Sequence, residues 1–290
     1  MKNQTRAYFF AAGAVLLWST VATAFKIALQ SAGFIQLLFY ASLTAFVFLG
    51  MVLIAGKQTA EFKMLNKRDI ILAAFRGLLN PFLYYLILFK AYSVLPAQEA
   101  MSLNYIWPIV LVLLSAPVLK QKISVKGFAG IIISFAGVVV IAFRGDFSTL
   151  HFDNPAGTAL AIFSSVVWAV FWLANLKSKI SETLKLFLSF GFGVIFTIPV
   201  VMVFSSFAID GAKTAAALVY VGIAEMGLSF YLWLRALSLS ERTDKVSRLI
   251  YLSPFLSLFF IAVFLGEPIG ISTIAGLLLI ITGIALKDKK

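Results

Sequence analysis

Glu225 is the acid set deepest in an apolar run, within Val221-Gly222-Ile223-Ala224-Glu225-Met226-Gly227, and no basic residue stands one helical turn away. A carboxyl group in such surroundings is costly to hold charged and normally faces a cavity or a neighbouring helix. It can couple proton movement to transport, anchor a substrate ammonium, or sit neutral and hydrogen-bonded to another helix. Asn80 lies at similar depth in a second run beside Pro81, whose missing N–H leaves a carbonyl free; it suits a substrate contact or a cap on the kink. Tyr84 follows one turn later. Trp168, Trp172 and Asn175 recur at i, i+4, i+7, which puts two indoles and an amide on one helix face. Trp18 and Lys26 lie eight apart on one face, and Asn104 and Trp107 are spaced i, i+3 around Tyr105, with Pro108 placed to kink that helix. Indoles wall cavities and stack on flat or cationic solutes. Trp and Tyr also gather at membrane interfaces, but Trp18, Trp107 and Trp168 fall near the middle of their runs, where anchoring does not explain them. Trp233, near a run's end, reads as an anchor. Lys26 and Glu99 approach the same end of their runs and form a candidate gate pair. Lys90 and Arg235 read as long basic side chains that snorkel to water.

What is missing narrows the chemistry. The 290 residues include no cysteine and one histidine, His151, so thiolate and imidazole metal sites are excluded. The intramembrane Asn, Glu, Trp and Tyr supply no nucleophile–base pair, so no enzymatic activity is expected. No Gly-x-x-x-x-Gly-Lys-Ser/Thr loop occurs, so ATP is not the direct energy source. Hydrophobic residues make up 61% of the chain and charged ones 12%, against about 25% charged in soluble domains. That balance excludes a soluble enzyme, a disordered protein and a nucleic-acid-binding domain. The chain reads as an integral membrane protein in contact with lipid.

The elements that must position these residues are apolar runs of about 20 residues, long enough to cross a bilayer as helices. They cover 8–29, 34–56, 70–91, 97–119, 127–143, 157–176, 183–205, 214–237, 247–265 and 271–286. The runs are continuously apolar and not alternating, which excludes a β-barrel. The first is too long for a cleaved leader and is followed at once by another. Basic residues test the count, because they favour cytoplasmic loops. With the N-terminus inside, cytoplasmic segments hold Lys2 and Arg6; Lys57, Lys63, Lys67 and Arg68; Lys120, Lys122 and Lys126; Lys177, Lys179 and Lys185; Arg242, Lys245 and Arg248; and Lys287, Lys289 and Lys290. The opposite loops hold only Arg144 and Lys213. One missed or added span would scramble that pattern, so ten spans with both termini cytoplasmic are expected.

The halves repeat. Tyr105, Pro108, Gly130 and Gly137 recur 146 residues later as Tyr251, Pro254, Gly276 and Gly283; at an offset of 145 Gly77 pairs with Gly222, Asn80 with Glu225 and Lys90 with Arg235; at 150 Trp18 pairs with Trp168. Each half has an odd number of spans, so the second copy lies upside down, a construction of secondary transporters with substrate held between the halves. The fold expected is all-α, ten transmembrane helices in two inverted five-helix repeats, residues 1–148 and 149–290. The small residues Gly127, Gly130, Ser134 and Gly137, with Gly276 and Gly283, make packing or homodimer surfaces.

This pattern of short helices, repeated Trp and glycine-bearing tails resembles the drug/metabolite transporter superfamily, in particular its EamA-type members, over nearly the whole chain. Leu103-Asn104-Tyr105-Ile106-Trp107-Pro108 resembles the Asn-Tyr-Leu-Trp-Pro stretch of the aromatic amino-acid exporters of that family. The resemblance implies a secondary carrier of small metabolites in the bacterial inner membrane, without a cofactor, and places Tyr105 and Trp107 at its central cavity. The expected cavity residues are therefore Trp18, Asn80, Tyr84, Asn104, Tyr105, Trp107, Trp168, Trp172, Asn175 and Glu225. Glu225 is the candidate for proton coupling. The expected function is export of an amino acid, aromatic or broad range, by alternating access. Carriers of nucleobases, sugar-nucleotides or cationic drugs are the transport alternatives, and a scaffold or receptor is the alternative outside transport.

Overall fold

The structure is a computed structural model that describes residues 2–118, 125–145, 154–174, 180–240, 246 and 248–286. The 148/149 repeat boundary, His151 and Asn175 lie outside the described residues. Among the described residues there are helices and no strand. They are α1 (Lys2–Leu29), α2 (Phe34–Ala55), α3 (Lys67–Val94), α4 in two arms (Ala97–Asn104 and Trp107–Val118), α5 (Val125–Ala142), α6 (Pro155–Ala174), α7 (Glu182–Phe204), α8 (Gly211–Leu239), α9 (Ser253–Leu265, entered through a 3-10 turn at Arg248–Leu252) and α10 (Ile271–Ala285). Seven, α1 to α4 and α6 to α8, are long and apolar enough to cross a membrane; α5, α9 and α10 are shorter apolar helices. Large apolar side chains such as Phe9, Leu16, Ile54, Phe163, Met202 and Phe264 stand exposed on the perimeter. Water does not tolerate so continuous an apolar surface and lipid does. The molecule is a multi-pass membrane protein.

Besides the divided α4, α3 and α8 widen at their centres. α3 passes through a π-helical segment at Leu78–Leu83, where Pro81 removes a donor and Asn80 leaves helical geometry (φ −146°, ψ 120°). α8 does the same at Gly222–Leu228. Such single wide turns are commonly found at functional sites. Glycines seat both breaks against neighbours. A Cβ on Gly77 would lie 2.5 Å from the Ser189 carbonyl oxygen of α7, and one on Gly222 would lie 2.6 Å from the Ala41 carbonyl oxygen of α2. The contacts are reciprocal: α3 leans on α7, and α8 leans on α2.

α5 and α10 pack backbone to backbone. A Cβ on Gly130 would meet the Gly283 oxygen at 2.5 Å and one on Gly137 the Gly276 oxygen at 2.4 Å, while the Ser134 hydroxyl donates to the Ile280 carbonyl at 3.0 Å. The small-residue stripes expected to serve packing or a dimer therefore face each other within the chain.

Side-chain bonds fix which helix ends lie together. At one end the Lys26 ammonium reaches the last carbonyls of α3, Glu267 reaches the start of α4, Asn154 donates to the Val94 carbonyl, and Thr214 meets Ser31. At the other, Ser240 meets Gln4, and Glu61 accepts from the Ser181 amide. These are called the Lys26 end and the Gln4 end below.

Candidate functional site

α1, α3, α4, α6, α8 and α9 surround a cavity of about 390 Å³. Its walls are rich in aromatic residues: Trp18 and Phe25 from α1, Tyr84 and Tyr92 from α3, Tyr105 and Trp107 from α4, Trp168 and Trp172 from α6, Phe230 and Trp233 from α8, and Tyr251 ahead of α9. Trp168 is the hub. It stacks on Tyr84 (4.6 Å between ring centres, 28°) and Phe171 (5.4 Å, 25°), and takes edge contacts from Trp107, Trp172 and Phe230. Trp18 continues the wall through Phe230 at 5.9 Å and Trp233 at 5.4 Å. Quadrupole-driven edge and offset contacts of this kind hold rings in fixed orientations, so the cavity has a rigid lining before any solute arrives.

Besides Ser253 and Ser257 of α9, two hydrogen-bonded polar features reach the lining. Glu225, at the middle of α8 and on its wide turn, accepts a hydrogen bond from the Tyr85 hydroxyl of α3 at 2.8 Å. Tyr85 is fully buried behind the wall and is braced by Tyr84 and Phe89. The second is a chain from α3 through α4 to α6: the Tyr84 hydroxyl donates to Asn104 Oδ1 (3.3 Å), Asn104 Nδ2 donates to Ser164 Oγ (2.8 Å), and Ser164 donates to the Ala161 carbonyl (2.6 Å). Tyr105 donates to the Ile250 carbonyl at 2.5 Å, tying the break of α4 to the 3-10 turn before α9. That break falls at Tyr105–Ile106, so Asn104 ends one arm and Trp107 starts the next, beside Pro108. Among the described residues Glu225 is the sole carboxylate in the lining, and no lysine or arginine contributes to it. Among the described residues no group of three or more His, Cys, Asp or Glu converges as a metal site would.

Of the residues singled out from sequence, Trp18, Tyr84, Asn104, Tyr105, Trp107, Trp168, Trp172 and Glu225 meet at this one cavity. Asn175 lies outside the described residues. Asn80 does not line the cavity: it is fully buried and neither amide atom has a hydrogen-bond partner among the described residues, so it does not cap the kink either. The expected Lys26–Glu99 pair does not form. Lys26 donates to the carbonyls of Tyr92 (3.0 Å) and Leu95 (2.8 Å), while Glu99 accepts from Arg144 at 2.6 Å. Unpaired carbonyls at a helix end attract an ammonium as a carboxylate does, and Arg144 reaches Glu99 from the far side. Trp233 is not an interfacial anchor; it is 6% exposed and walls the cavity. Lys90 is exposed, as expected, with its ammonium 5.1 Å from the centre of the Phe34 ring. Sequence reasoning missed Tyr85, Ser164 and Tyr92. Tyr85 carried one signal: it follows Tyr84 and so points about 100° further round the same helix.

A multi-pass bundle that encloses a ring-walled cavity with one acid at mid-helix is the architecture of a membrane transporter. The EamA-like transporter family matches the chain twice, over residues 5–143 and 155–287. The chain belongs to that family, within the drug/metabolite transporter superfamily. It is similar to an uncharacterized transporter of Archaeoglobus fulgidus, 29% identical over 176 residues, which are 59% of this chain and 60% of that one. The match to the uncharacterized transporter YvbV of Bacillus subtilis, 27% identical, takes in 99% of this chain and 93% of that one. The aromatic amino acid exporter YddG of Ancylobacter novellus is 26% identical over 76% of this chain and 75% of its own length. A solved crystal structure shares the fold with a TM-score of 0.64 at 20% identity, covering 97% of this chain and 96% of that one.

Proposed function

We propose that this chain is a secondary carrier of the cytoplasmic membrane that exports amino acids, in particular aromatic ones, by alternating access, and that it is not an enzyme. The observation that carries the reading is the cavity itself: aromatic walls drawn from helices of both halves, with Glu225 the one carboxylate among the described lining residues. A flat apolar side chain fits against Trp168 and Trp107, an ammonium finds Glu225, and Asn104 offers an amide within the wall. The name of the relative in Ancylobacter novellus supports the aromatic part of the reading. Ten spans in two inverted five-helix repeats are supported by the two family matches, by the matched breaks in α3 and α8, and by the reciprocal contacts of Gly77 and Gly222. Among the described residues Arg6, Lys57, Lys63, Lys67 and Arg68 stand together at the Gln4 end, which supports cytoplasmic termini.

Uptake of labelled amino acids into proteoliposomes tests the function. Saturable flux of aromatic amino acids is expected, with weaker flux of small aliphatic ones. Flux of none, together with no thermal stabilisation by any small molecule, would overturn the carrier in favour of a scaffold or receptor. A second reading, a carrier of aromatic amines, is favoured by the lack of lysine or arginine among the described lining residues. A substrate carboxylate would be desolvated there without a cation. Stronger competition by the amine than by its parent amino acid would select that reading.

A further inference from the structure

Beyond the main cavity, at the Lys26 end, lies a second and mostly polar chamber of about 270 Å³, lined by Lys26, Gln30, Tyr92, Ser93 and Glu267 among others. Tyr92 lines both chambers. Its ring is 3% exposed and meets Phe25 edge-on at 5.1 Å, and Phe25, itself 2% exposed, meets Phe89 at 4.7 Å. A wall one aromatic layer thick therefore separates the two spaces.

The chain just past that wall is clamped. α3 ends at Val94 and α4 begins at Ala97, so the corner at Leu95–Pro96 exposes the carbonyl end of one helix and the amide end of the next. Lys26 of α1 donates to the carbonyls of Tyr92 and Leu95, at the negative end of α3. Glu267, between α9 and α10, accepts from the Ala97 amide at 3.1 Å, at the positive end of α4. Gln98 then donates to the Pro268 carbonyl at 2.9 Å and accepts from the Gly270 amide at 3.1 Å. Each helix end meets the charge that suits it, and both charges line the polar chamber.

We propose that Tyr92 and Phe25 are the plug that closes the central cavity toward the Lys26 end, and that the polar chamber beyond is the far compartment of the same route. Lys26 and Glu267 hold the plug in place by fixing the α3–α4 corner. This rests on reading the chain as an alternating-access carrier. Opening to the Lys26 end then requires the corner to part from α1 or from the α9–α10 connection, and not a rearrangement of the aromatic cavity.

The chain has no cysteine, so one introduced thiol reports unambiguously. Ala22→Cys lines the central cavity and Ser93→Cys the far chamber. Each is labelled, in right-side-out and in inverted vesicles, with a membrane-impermeant cationic methanethiosulfonate. Ser93→Cys identifies the face of the Lys26 end. Ala22→Cys is expected to react at least about tenfold faster from the opposite face than from the Lys26 face, and adding Tyr92→Ala or Phe25→Ala to raise its rate from the Lys26 face about tenfold or more, as the closed population is lost. Lys26→Met with Glu267→Gln is expected to act in the same direction with the plug intact. Equal rates of Ala22→Cys reaction from the two faces without any second change would overturn the plug, as would no gain in rate from either ring deletion. Continued labelling from the opposite face shows that a variant is folded, and if Tyr92→Ala fails that control Phe25→Ala decides. Because labelling needs no flux, a plug that fails in a vesicle that still transports refutes this inference alone. A plug that holds in a protein that moves nothing refutes the carrier alone.

Discussion

The breaks in α3 and α8 occupy matched positions and differ in what they display. Each widens into a π-helical turn after a glycine wedged against a carbonyl of the opposite half. In α8 the turn presents Glu225 to the cavity, bonded to Tyr85. In α3 the matched residue, Asn80, is sealed away with both amide atoms unpartnered among the described residues. The backbone device is shared and the chemistry is not. One backbone device serves two helices, and the titratable group in the lining stands on one of them.

Substituting the glycines attacks the shared part. Gly222→Ala and Gly77→Ala each force a methyl group to within 2.6 Å or less of a backbone oxygen, and each is expected to cost about 3 kcal/mol and to lower the melting temperature in detergent by similar amounts. A large loss for one and none for the other would show that the joints are not equivalent. Glu225→Gln attacks the unshared part. The variant is expected to fold normally while pH-driven uptake falls about tenfold or more, and unchanged pH dependence would remove Glu225 from coupling. Tyr85→Phe takes away the hydroxyl bonded to Glu225 without altering the ring packing. It is expected to cost about 1 kcal/mol in thermal unfolding and to weaken substrate affinity about fivefold, read as a raised KM with little change in maximal flux. Asn80→Leu replaces an unpartnered amide with an apolar group of similar size. Stability is expected to hold or rise by up to about 1 kcal/mol, with uptake within about twofold of the parent. Lost uptake in a folded Asn80→Leu protein would show that the two joints share function after all.

Much of the cavity is legible in the sequence because an indole in mid-membrane is too deep to anchor at the headgroups and carries an N–H that lipid cannot satisfy. Trp18, Trp107 and Trp168 lie at that depth, and the structure gathers all three. What is not legible is azimuth. In helices apolar on every side no periodicity marks which face turns inward, so position along α8 alone puts Trp233 at the interface although its indole points at Trp18. The same ignorance pairs Lys26 with Glu99: both lie at the expected end, but the rotation of α1 aims the ammonium at helix-end carbonyls and Arg144 takes Glu99. Asn80 fails for a different reason. Depth and repeat position match it to Glu225, and Pro81 announces the kink, yet the direction of a side chain at a wide turn depends on local backbone angles that the residue types do not encode.

The seam between α5 and α10 carries a mechanical consequence. Where glycine faces glycine across Gly130–Gly283 and Gly137–Gly276, main chains meet directly, flanked by Ser134, Ile141 and Ile280. That pair behaves as a keel, one stiff blade joining bow to stern. A bulky graft anywhere along the blade would force the two helices apart.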